Sequence, residues 1–154
     1  MTSLAMSSDG SGSAAGELVT LGAYSVTDNE KSARVAIFSM ASGALLTDWL
    51  SPVNSKLQTD VTVRMSGQYA GAVFWGDSGD VPTCLVLRSG SAEPLLAFTT
   101  PGSMVGLDIV LDAGSSNATA DVIFFVAAGK HVPANEMGDG GDAYAWRLVV
   151  PPSA

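Results

Sequence analysis

The chain has 154 residues, 47% of them apolar and only 14% charged, with 7 basic against 15 acidic side chains and a net charge of −8. That is the length of one domain and too apolar for disorder, yet its longest apolar run, Val122 to Ala128, falls far short of the ~18 residues of a membrane helix. The basic residues are scattered, so strong nonspecific nucleic-acid binding by this chain alone is not expected, and a single cysteine, Cys84, excludes an internal disulfide.

Residues 1–16, MTSLAMSSDGSGSAAG, are small, polar and rich in Gly and Ser, the composition of a flexible arm. They carry no basic stretch followed by an apolar core, so a signal peptide is not expected. From Glu17 the chain reads as β. Short segments rich in Val, Leu, Ile, Phe and Thr are broken by Gly, Pro, Ser, Asn and Asp. The first two are Leu18–Thr27 and Ala33–Met40.

Between the second and third strands, Leu45, Leu46, Trp49 and Leu50 recur at i, i+1, i+4 and i+5. That spacing predicts one short helix with an apolar stripe, stopped by Ser51-Pro52. The third strand, Leu57–Ser66, alternates most cleanly: Leu57, Thr59, Val61, Val63 and Met65 against Gln58, Asp60, Thr62, Arg64 and Ser66. Period two of this kind means one buried and one polar face. Tyr69–Gly76, Thr83–Ser89, Pro94–Thr99, Met104–Asp112 and Thr119–Ala128 complete eight strands, and Tyr144–Val150 is a ninth beyond a glycine-rich break. Ala120–Ala128 is apolar on both faces, which fits a strand covered twice or placed at an interface. The expected fold is therefore all-β, an antiparallel sandwich or barrel. Its domains are a flexible arm over 1–16, a β-sandwich over 17–130 and a C-terminal extension with an added strand over 131–154.

Residues able to carry chemistry are few. His131 is the only histidine, in a loop, which leaves no two-histidine metal site; a solvated loop residue is expected. Cys84 sits inside a strand with no base beside it, so a buried structural thiol is expected. Asn135–Asp142 gathers Glu136, Asp139 and Asp142 among glycines. Oxygens there suit a hard cation, but the spacing is not that of an EF-hand, and a solvated loop is the default. Gly76-Asp77-Ser78-Gly79 matches the nucleophile segment of chymotrypsin-like proteases over four residues, without the upstream histidine that fold requires. Asn117-Ala118-Thr119 is a formal glycosylation sequon. In the pairs Phe74-Trp75 and Phe124-Phe125, one ring faces the core and the other faces away. Low charge with high apolarity predicts exposed apolar patches, and such patches mark interaction surfaces. A neighbouring subunit is the expected partner of the outward rings. No catalytic, cofactor-binding or metal-binding residue is assigned, and neither enzyme activity nor a cofactor is expected.

The order of elements carries a resemblance. Two strands, then Ala44-Leu45-Leu46-Thr47-Asp48-Trp49-Leu50, then the alternating strand Leu57–Met65, then Gly71-Ala72-Val73-Phe74-Trp75-Gly76 and a last strand Ala120–Lys130: this resembles the picorna-like capsid proteins of small RNA viruses, the picornavirus and plant secovirus type. The resemblance covers residues 17–130. It implies an eight-stranded jelly roll with one short helix between the second and third strands. It also implies a coat subunit that assembles with copies of itself or sister chains into an icosahedral shell, found in the virion and in the host cytoplasm during assembly. Membranes are not implied as partners, and nucleic acid enters only as the enclosed genome. Lys130 and His131 depart from the family, which has acids after its last strand. The rival readings are a viral projection or phage decoration domain and, in another class, a carbohydrate-binding β-sandwich using Trp49, Trp75 or Trp146.

Overall fold

The computed structural model describes residues 3–8, 16–27, 30–52, 60–75, 81–112, 120–130 and 141–151. Among them lie eleven strands and no helix. The strands form three antiparallel sheets, each a meander in which chain neighbours pair. The first sheet holds β1 (Ser3–Ser8), β2 (Glu17–Thr27), β3 (Glu30–Ser39) and β4 (Leu45–Leu50). The second holds β5 (Asp60–Ser66), β6 (Tyr69–Trp75), β7 (Cys84–Arg88) and β8 (Leu96–Phe98). The third holds β9 (Met104–Asp112), β10 (Asp121–Lys130) and β11 (Gly141–Val150).

The expected all-β class holds, and the finer expectations change in four places. Leu45–Leu50 is strand β4, where a helix was expected. Its alternation was hidden inside the helical spacing: Thr47 and Trp49 turn inward while Leu46, Asp48 and Leu50 stay exposed. A two-turn helix is marginal alone, whereas the edge of β3 offers a ladder from Arg34↔Leu50 to Phe38↔Leu45. Gly43, at φ 69°, makes the turn that brings β4 back.

Ser3–Ser8, expected in a flexible arm, pairs with β2 from Ser3↔Gly22 to Ser8↔Glu17. Tyr144–Val150 was expected as the added strand of a C-terminal extension, outside the β-sandwich. It pairs instead with β10 of its own chain, from Asp121↔Val150 to Lys130↔Gly141. Finally, a jelly roll pairs strands far apart in sequence, and no such pairing occurs among the described residues. With β1 and β4 added, the eight strands of the expected sandwich and the ninth beyond it become eleven.

The second sheet is the middle layer, because β6 and β7 are buried on both faces. Ala70, Ala72 and Phe74 of β6 face the first sheet, forming one core with Val35, Ile37, Val61, Val63, Leu85 and Leu87. Tyr69 and Val73 face the third sheet, forming a second core with Val86, Met104, Ile109, Ile123, Phe125 and Ala127. Trp49 meets Phe74 in the first core at 5.7 Å between ring centroids, and Trp146 stacks on Phe125 in the second at 5.4 Å. The sheets come closest at their first strands: β1 and β2 lie against β5, and β5 and β6 lie against β9. Glycine permits this. A Cβ on Gly22 would stand 2.7 Å from Val61 Cγ1, and one on Gly71 would stand 2.9 Å from Phe125 Cε2.

Polar bridges pin the layers. Thr47 donates its hydroxyl to the Arg88 carbonyl at 3.1 Å and accepts from the Gly90 amide at 2.9 Å. Between the second and third sheets, the Tyr69 hydroxyl donates to Asp121 Oδ2 at 2.5 Å. Gln68 donates to the same oxygen at 3.2 Å, and Arg88 donates to Gln68 Oε1 at 3.4 Å.

Candidate functional site

Among the described residues, two faces of this three-layer stack have no layer over them. Both carry apolar side chains on strands whose opposite faces are already buried, so they follow directly from alternation.

The third sheet's outer face is set by register. Val122, Phe124, Val126 and Ala128 of β10 point out, while Ile123, Phe125 and Ala127 point in. Opposite them stand Gly106, Asp108, Val110 and Asp112 of β9 and Ala143, Ala145, Arg147 and Val149 of β11. Phe124 is 43% exposed and Val126 45%. Where the small residues meet, the face is hollowed into an open concavity of about 380 Å³ lined by Gly106, Val126, Ala128, Ala143 and Ala145. A Cβ added to Gly106 would meet nothing within 4 Å, in contrast to Gly22 and Gly71.

The first sheet's outer face carries Leu4 and Met6 on β1, 60% and 58% exposed. Their ladder partners Leu21 and Val19 lie beside them, half-buried, and Phe38 of β3 follows. Leu46 and Leu50 of β4 are exposed as well. One ion pair crosses this face: Arg34 Nε and Nη2 donate to the two Asp48 oxygens at 2.6 and 2.8 Å. The bond to Arg34 holds the Asp48 carboxyl below the usual carboxylate range.

The residues that suggested chemistry are not gathered by the fold. Cys84 is fully buried in β7, and burial pushes its thiol up to about 12, against a small opposing contribution from Thr83. It is the inert structural thiol expected of its sequence position. His131, Gly76–Asp80 and Asn117–Thr119 lie outside the described residues, as do Asn135–Gly140 of the acidic loop. Asp142, its described acid, accepts from the Tyr144 hydroxyl at 3.1 Å. Among the described residues no three of His, Cys, Asp and Glu are placed to hold a metal ion.

The aromatic pairs divide as the pleat requires. Phe74 and Phe125 are fully buried. Trp75 takes the Lys130 ammonium over its ring at 5.0 Å, and Phe124 stays exposed on the outer face. Trp49 and Trp146 are tied up in the two cores.

Sequence reasoning found the outward half of β10 but missed β1 and β4, which supply much of the other face. The signal for β1 was present in Ser3-Leu4-Ala5-Met6-Ser7, an alternation diluted by its small residues. Compared with family models, curated proteins and solved structures, the chain matches none.

Proposed function

We propose that this chain is a structural subunit of a virus particle, which associates with copies of itself through its sheet faces and performs no catalysis. The observation that carries the reading is the pair of uncovered apolar faces, Leu4, Met6, Leu46 and Leu50 on one side and Phe124, Val126 and Val149 on the other. Side chains this exposed and this clustered serve contact with other macromolecules.

Within that reading, the meander ladders favour a projection or decoration domain over a shell-forming jelly roll, because neither of those roles needs strands distant in sequence to pair. The carbohydrate-binding alternative draws less support. Trp49 and Trp146 are packed against other rings, which leaves Trp75 without a coplanar exposed partner for a sugar among the described tryptophans. Sedimentation and negative-stain microscopy of the purified chain over a range of pH and salt test the proposal. Defined multimers are expected; a monomer under every condition would refute it.

A further inference from the structure

We propose that two copies of this chain close head to tail into one ring of six sheets, the outer face of one copy's first sheet seated on the outer face of its partner's third sheet, twice over. This inference rests on the self-assembly reading above and gives it a geometry.

The first observation is a repeated relation between sheets. The opening strand of the second sheet, β5, lies against β1 and β2, and the opening strand of the third, β9, lies against β5 and β6. Each approach uses a glycine on the second strand of the earlier sheet: Gly22 against Val61 and Val63 of β5, Gly71 against Leu107 of β9 and Phe125. Each opening strand turns large apolar residues to the sheet before it, Val61 and Val63 on β5, Ile109 on β9. One step, taken twice, relates the three sheets.

The second observation is that both ends are prepared for a third step. The opening strand β1 turns Leu4 and Met6 to the side where a preceding sheet would stand, and both are more than half exposed. The last sheet offers Gly106, Ala128 and Ala143, with Asp108 beside them, around an open concavity of about 380 Å³; Ala128 stands on its second strand, β10, as Gly22 and Gly71 stand on the second strands of theirs. Large residues at one end and a hollow at the other make a heterologous contact. Such contacts close into a ring when the repeated step closes.

The number of copies follows from counting. Meander sheets stacked around an axis close with about four to eight members. One copy supplies three and three copies supply nine, whereas two copies supply six. The area agrees. Three strands of about ten residues, at ~3.3 Å per residue and ~4.8 Å between strands, present roughly 450 Å² of face. Two contacts hide four such faces, about 1,800 Å² in all, inside the range of stable complexes.

The test is complementation. Met6→Asp disables the head, and Val126→Lys disables the tail; both positions are exposed, so neither change enters a core. Light scattering coupled to size exclusion should give the wild type at twice the 15.7 kDa of one chain. Each variant alone should be a monomer, with association weakened at least ~100-fold by the charge forced into each contact. Mixed in equal amounts they should form a heterodimer. One of its contacts is wild type on both sides, and in the other the introduced carboxylate faces the introduced ammonium. Circular dichroism confirms that each variant is folded, and Glu93→Lys, in an exposed turn, serves as the charge-change control.

A face-to-face pairing of two heads would leave the Val126→Lys chain dimeric, and a pairing of two tails would leave the Met6→Asp chain dimeric; either result overturns the ring. So does a wild type of any other multiplicity, although the self-assembly reading would then stand. A wild type that stays monomeric at every concentration overturns both.

Discussion

Gly71→Ala tests whether the close approach of the second and third sheets is set by a missing side chain. The new methyl would stand 2.9 Å from Phe125 Cε2 and 3.1 Å from Leu107 Cδ1, so something must shift by several tenths of an ångström. Phe125 cannot yield easily: it is fully buried and stacked on Trp146 at 5.4 Å. Overpacking of this kind costs about 1–3 kcal/mol. Replacing glycine lowers the entropy of the unfolded chain and returns about 0.4–1 kcal/mol. The net expectation is a loss of about 1–2 kcal/mol, or a melting temperature lower by roughly 2–8 °C for a domain of this size. Urea unfolding followed by tryptophan fluorescence reads it, in a Met6→Asp background so that association does not contribute. Gly106→Ala is the internal control, because its methyl meets nothing and should be neutral or slightly stabilising. Phe125→Leu supplies a second check. It removes the obstructing ring edge, so the double variant should be about 1 kcal/mol more stable than the sum of the single losses predicts. A Gly71→Ala chain as stable as its parent, or strictly additive behaviour with Phe125→Leu, would refute the reasoning.

Tyr69→Phe removes the donor to Asp121 and should cost about 1–2 kcal/mol, leaving Gln68 as the remaining side-chain donor to that oxygen. Burial first, and the Asp121 bond second, push the Tyr69 phenol up to about 12, so its contribution is fully present below pH ~10 and fades as pH rises towards 12. Alkaline unfolding should therefore be less steep in Tyr69→Phe than in the wild type, as seen in melting temperatures between pH 9 and 12. The buried Cys84 thiol, also raised to about 12, contributes in the same direction from pH ~8.5 upward. It should resist thiol reagents in the native state and react at once in urea; rapid native labelling would contradict its burial. Thr47→Val keeps the shape of a side chain that accepts from Gly90 and donates to the Arg88 carbonyl. A loss of about 1–2 kcal/mol, read from urea unfolding curves, is expected, since a part-buried acceptor and donor lose their partner together.

The β class and most strand positions were legible because alternation is a local signal. Met104–Asp112 appears over the residues expected, and Tyr69–Trp75 and Cys84–Arg88 differ from expectation only at their ends. Leu45–Leu50 was misread because an apolar pair followed by Trp49 and Leu50 satisfies a helical stripe and a bulged strand equally. The register shift between Ile37 and Phe38 is what lets both Leu45 and Leu46 stay exposed. β1 was missed because Ser3, Ala5 and Ser7 are small for a reason invisible in sequence. They face the crowded approach to β5, where the Ser3 hydroxyl accepts from the Val63 amide at 3.2 Å. Sheet order was not legible at all. Which strands pair is decided by turn lengths and by which faces can be covered, and the jelly-roll expectation came from element order alone.

The placement of charge now gives the apolarity a direction. Of the nine acids among the described residues, Glu17, Glu30, Asp60, Asp112, Asp121 and Asp142 stand at or next to strand ends, Glu93 lies in a turn, and only Asp48 and Asp108 stand within strands. The described negative charge thus lies mostly towards the rims of the stack, while the outer faces carry few charges: the Arg34–Asp48 pair on the first sheet, and Asp108, Asp112 and Arg147 on the third. Rim-to-rim contact between copies is opposed by like charge and depends on salt, because at 0.15 M exposed charges more than about 8 Å apart are largely screened. Face-to-face contact buries apolar area and depends on salt only weakly. The two-copy unit should therefore keep its dissociation constant within about threefold between 0.05 and 0.5 M salt, a change of under ~1 kcal/mol. Larger assemblies built from it should appear only as salt rises. Analytical ultracentrifugation across that range separates the two steps. A two-copy unit that dissociates at low salt along with the larger assemblies would show that charge, and not the apolar faces, governs the first contact.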